Sequence, residues 1–197
     1  MTEAEKLIIP EDKKALFKYN LVKGVIYRNR DGLKTADRLA LELNSPRDRW
    51  VTALREALIL LDSGDMEKGH KVIMRLNSIY IPSEEEIETS RFHLVMGIDR
   101  YARGEIKGAQ YDFTKGLECS LGKGLLPEVI ESTVYLGKIS ADLSEFEAGY
   151  ENYRKALNGY KNIADDIKDE GLRKRFLSDE KIAILASEIR KMNQILA

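Results

Sequence analysis

Three stretches of this sequence repeat one design. Gly64-Asp65-Met66 is followed by Gly69 and Ile73, Gly104-Glu105-Ile106 by Ala109 and Phe113, and Ser144-Glu145-Phe146 by Gly149 and Tyr153. Each is a turn residue and an acid that open an amphipathic helix, and the three lie 40 residues apart. Self-similarity at such a period marks an array of helix pairs, because one pair alone cannot bury its apolar face and must stack on the next. Small residues recur with the turns. Gly24, Ala57, Gly97 and Gly137 sit inside the first helices at separations of 33, 40 and 40, and Ala36, Gly69, Ala109 and Gly149 inside the second. Glycine within a helix costs roughly 1 kcal/mol against alanine, so its recurrence implies that the paired helices must approach closely there.

Apolar spacing extends this reading along the chain. A charged leader covers 1–15, and helix pairs are expected over about 16–45, 49–81, 84–122 and 128–160, with turn signals at Arg30-Asp31-Gly32, Asn44-Ser45-Pro46 and Gly122 to Pro127. Ser83 with Glu84, Glu85 and Glu86 reads as an N-cap and an acidic first turn for the third pair. Residues 161–197 read as a charge-rich linker and a final helix capped by Ser178, with Ile182, Leu185, Ile189, Met192 and Leu196 on one face. A repeat array needs its last apolar face covered, and this helix is expected to cap it. The predicted fold is all-α: a superhelical solenoid of about four helix pairs and a C-terminal capping helix.

Composition removes several classes of function. Lys plus Arg total 32 against 33 Asp plus Glu, so no net field draws the chain to nucleic acid or to an anionic membrane. Cys119 stands alone, which rules out an internal disulfide. The apolar run Leu7-Ile8-Ile9 before Pro10 is too short for a signal peptide core, and no window reads as a membrane span. A cytoplasmic location is the expectation.

Chemistry has few candidates. His70 and His93 have no cysteine or acid at metal-ligand spacing, Gly122-Lys123-Gly124 lacks the preceding strand of a nucleotide loop, and Asp62, Asp99 and Asp142 read as solvated helix positions. No catalytic, cofactor or metal residue is assigned, and the chain is not expected to be an enzyme.

Gly24 with Tyr27, Gly104-Glu105-Ile106 with Ala109 and Phe113, and Phe146 with Tyr153 and Ala156 resemble the tetratricopeptide motif: a small residue in the first helix, a Gly-acid turn, and a small residue opening the second. The likeness covers about Leu16 to Tyr160. It departs from the family where the interval is 40 residues, where Arg100 and Ser140 replace the first-helix aromatic, and where regular prolines are missing. It is nearest to the divergent long-helix variants of bacterial regulatory and signalling proteins. The resemblance implies a concave groove lined by first helices, here by Leu21, Val25 and Arg28, by Val51, Leu54, Leu58 and Leu61, by Leu94, Ile98 and Tyr101, and by Val134, Lys138 and Ala141. The same apolar residues could instead be interhelix core. Leu21 and Val25 stand where some family members place Lys and Asn to hold a C-terminal carboxylate, so no carboxylate clamp is expected.

The implied function is a protein-interaction scaffold or adaptor that takes a partner helix or segment in an apolar groove. A second copy of the chain is another candidate occupant. The alternative is a small-molecule sensor with its pocket between the groove and the C-terminal helix, using Tyr101 and Tyr135.

Overall fold

A computed structural model describes residues 12–83 and 87–197 of the chain. Ten α-helices and no strand occur among the described residues, and they fall into two compact units, 1–88 and 89–197. The cap expected at Glu84, Glu85 and Glu86 lies outside the described residues.

In the first unit, α1 (Lys13–Ile26) pairs with α2 (Arg30–Glu42), and α3 (Pro46–Asp62) pairs with α4 (Met66–Ile79). The hairpins stack because α3 also packs on α2. Trp50, Leu54, Leu33 and Leu76 are fully enclosed, and Phe17, Ala36, Leu39 and Ala40 form a cluster under Leu16, Leu21 and Leu43.

In the second unit, α5 (Ile87–Ala102) is followed by α6 (Ile106–Lys123), and α7 (Leu126–Asp142) pairs with α8 (Phe146–Asp166). Two further helices follow, α9 (Glu170–Leu177) and α10 (Glu180–Leu196), and both pack on α8. Leu185 and Met192 of α10 join Ile130, Tyr153 and Ala156 in one buried cluster.

A single backbone device makes six of the connections. Arg28, Asn44, Gly64, Gly104, Gly124 and Ser144 each have positive φ. The residue after each donates its N–H to the carbonyl five positions back: Asn29 to Gly24, Ser45 to Ala40, Asp65 to Leu60, Glu105 to Arg100, Leu125 to Ser120 and Glu145 to Ser140, at 2.8–3.0 Å. This is a Schellman closure, which satisfies the last carbonyls of one helix. The donating residue is also the N-cap of the next helix, so the chain stops and restarts within three residues or fewer. The acid seen in the sequence after each turn residue therefore stands at a helix N-terminus, where negative charge is favourable.

The close approaches follow the same interval. A Cβ at Gly97 would lie 2.6 Å from the Phe113 ring, and one at Gly137 would lie 2.7 Å from the Tyr153 ring. Ala57 and Ile73 occupy the matching positions of the second pair and are buried.

The first pair differs from the expected register. Gly24 stands four residues before its turn residue, whereas Ala57, Gly97 and Gly137 stand seven before theirs. Its Cβ would meet Leu33, so this hairpin is tightest nearer its connection.

The C-terminal segment also differs. The charge-rich stretch contains the helix α9, whose N-cap Asp169 accepts from the Leu172 N–H at 2.7 Å. Ser178 closes α9 by donating to the Arg175 carbonyl, and Asp179, not Ser178, caps α10 by accepting from the Lys181 N–H.

Candidate functional site

The first helices of the second unit, α5 and α7, run side by side in the same direction. Arg91 near the start of α5 pairs with Glu128 near the start of α7, and Tyr101 near the end of α5 donates its hydroxyl to Asp142 Oδ2 at 2.6 Å. Arg28 of the first unit reaches Asp62 in the same manner, between the ends of α1 and α3. Such lateral links between successive first helices fit a stack of hairpins.

Along this face the rings form a ladder. Tyr101 meets Tyr135 edge-on with centroids 5.9 Å apart, and Tyr135 stacks on Phe113 at 4.7 Å and 9°. Lys138 Nζ lies 4.4 Å from the Tyr135 centroid, one helical turn along α7, in a cation–π contact. Burial pulls the Lys138 ammonium below the usual lysine range, opposed by the charges of Glu131, Asp142 and Glu188. Burial and the Asp142 carboxylate push the Tyr101 hydroxyl well above the ordinary phenol range. Glu131 then ties the face to the later helices, because its Oε1 accepts from Lys181 at 3.2 Å and from the Tyr160 hydroxyl at 3.3 Å.

The predicted groove residues separate by exposure. Leu54, Leu61, Leu94 and Ile98 are buried, while Leu58, Tyr101, Val134 and Lys138 keep partial exposure. Tyr101, Val134 and Lys138 belong to one face of the second unit, with Val134 packed against the Ile130–Tyr153–Leu185 cluster. Leu58 belongs to the first unit.

Beneath the face lies a polar interior that the spacing of residues does not announce. Asp112 is buried and accepts from Arg100 Nη1 at 2.6 Å, and its other oxygen lies 3.1 Å from His93 Nδ1. Asp99, expected to be solvated, is buried and held by Arg103 Nη2 at 3.0 Å. Asp142 is exposed, as expected of a helix end. The buried Asp112 and Asp99 carboxylates are matched by Arg100 and Arg103, which keeps their burial tolerable. Among the described residues no three His, Cys, Asp or Glu side chains gather as a metal would require. No described helix is long and apolar enough to cross a membrane.

No protein-family model and no curated protein sequence matches this chain.

Proposed function

We propose that this chain is a non-catalytic interaction module of the tetratricopeptide-like kind, which holds a helix or extended segment of a partner protein against its first helices. The observation that carries the reading is the shared construction of the hairpins, with Gly97 against Phe113 and Gly137 against Tyr153 40 residues apart. Helices held this way leave their outer side chains free to vary without disturbing the core, which suits a binding platform. In the second unit the partner-facing side chains are Tyr101, Val134 and Lys138. The Tyr101 ring, its hydroxyl already donated to Asp142, and a lysine seated on the Tyr135 ring present apolar area and an ammonium donor together, as binding hot spots do. Cytoplasmic regulation or assembly is the setting that the tetratricopeptide likeness suggests.

The test is co-purification from the protein's own cell extract after cross-linking. A partner retained by the unaltered chain and lost on Tyr101→Ala or Lys138→Glu, with folding intact by circular dichroism, is the expected result. Thermal stabilisation by a metabolite, lost on Tyr101→Ala, together with no partner would replace this reading with that of a small-molecule sensor.

A further inference from the structure

The cations of the first unit are paired almost throughout. Lys13 holds Glu42, Arg28 holds Asp62, Arg30 holds Glu56, Arg49 holds Asp37, Lys68 holds the N-cap Asp65 and Lys71 holds Glu67. Among the described residues, Lys14, Lys18 and Arg75 are the cations of this unit with no ion-pair or ring partner. All three line two clefts that share the Asn44-Ser45-Pro46 turn.

The larger cleft, about 580 Å³, is walled by Phe17, Leu43, Pro46 and Tyr80, with Lys14 and Lys18 beside them. Lys14 and Lys18 are one helical turn apart on α1, so both ammonium groups serve the same wall. The one acid in the lining, Asp48, already accepts from the Ser45 hydroxyl at 2.8 Å. The smaller cleft, about 380 Å³, carries Arg75 next to Leu41 and Ile79. From Lys13 to Arg30 the sequence has no acid at all. A concavity with aromatic and aliphatic walls and unmatched positive charge at its edge lacks one thing, a protruding apolar group surrounded by negative charge.

We infer that this double cleft receives an acidic segment of a partner protein, which inserts a bulky apolar side chain between Phe17, Leu43 and Tyr80 and sets its flanking carboxylates on Lys14, Lys18 and Arg75. Charge complementarity decides the occupant. A second copy of this chain would bring its own unmatched cations to the same place, and like charges repel across an interface. A bilayer presents a broad surface and does not enter a recess. The cleft is separate from the Tyr101–Lys138 face, so the two assignments stand or fall independently.

The probe is a fluorescein-labelled peptide, Asp-Glu-Asp-Leu-Phe-Asp-Glu-Asp, titrated into the full chain and followed by anisotropy. One control replaces Leu-Phe by Ser-Ser and another replaces the acids by lysine; vesicles of phosphatidylserine are the third. Binding of the first peptide alone, weakened about tenfold or more by Lys14→Glu with Lys18→Glu and weakened also by Arg75→Glu, is expected. Binding should be unaffected by Lys138→Glu. Lys14→Gln with Lys18→Gln gives the same direction without charge reversal, and circular dichroism checks that each variant is folded. Equal binding of the Ser-Ser peptide, lysine-independent binding, uptake of vesicles but not of peptide, or no binding would each overturn the proposal.

Discussion

Gly97 and Gly137 are points of close approach in the hairpins of the second unit, as is Gly159 against Ile130, and other glycines do different work. Phe113 is fully enclosed and has nowhere to retreat, so Gly97→Ala should destabilise the protein by about 1–3 kcal/mol through overpacking. Gly104→Ala meets open space but is held at φ +76, and should cost about 1 kcal/mol through backbone strain. Gly122 lies near the end of α6 with open space and no special φ, so Gly122→Ala should stabilise by up to about 1 kcal/mol. Urea denaturation of the three variants gives the order, and a gain at Gly97 would refute the close-approach account. Gly97, Gly104 and Gly137 were legible in the sequence because their interval is regular, whereas Gly122, expected to open a turn, lies within α6. The Arg100–Asp112–His93 group was not: its members sit on two helices, and only their relative rotation decides whether Asp112 faces a cation or water. Asp99 was misread for the same reason, since a charged residue in a helix carries no mark of the side it faces.

Helix α10 shows the same division between what a pattern reveals and what it hides. Of the expected stripe Ile182, Leu185, Ile189, Met192 and Leu196, three residues, Ile182, Leu185 and Met192, are buried, Ile189 is partly buried against the cluster, and Leu196 is exposed. Helix α9 has eight residues, none of them buried, and so no stripe to betray it. Phe176 nevertheless rests its ring 6.2 Å from that of Tyr160, which anchors α9 to α8. Burial of Leu185 and Met192 contributes about 2 kcal/mol each. A chain ending at Ser178 should therefore expose Ile130 and Tyr153, lose stability and associate, as light scattering would record. Met192→Asp should act in the same direction with the length unchanged. A monomeric shortened chain of unaltered stability would mean that α10 covers nothing essential.

At the scale of the molecule, the two units have their own cores: Trp50, Leu54 and Leu76 in one, Ile130, Tyr153, Leu185 and Met192 in the other. A polypeptide of residues 87–197 should therefore be helical by far-ultraviolet circular dichroism and unfold cooperatively on its own. A gradual, non-cooperative melt would show that this core is insufficient. The all-helical class and the order of hairpins could be read beforehand, because turn residues and small residues repeat together. That the chain divides into two cores at Glu88 could not, since the Pro82-Ser83 break and acid run just before it read like any other start of a helix pair.

The three-residue Schellman links impose a rule of phase. They contain no slack, and one added residue between Gly104 and Ile106 would rotate all that follows on α6 by about 100°. Phe113 would swing away from Gly97 and a charged neighbour would take its place. Changes of length in such a chain are therefore tolerated as whole hairpins or not at all at these links, and a library of single-residue insertions should find its deepest losses at positions 64, 104 and 144.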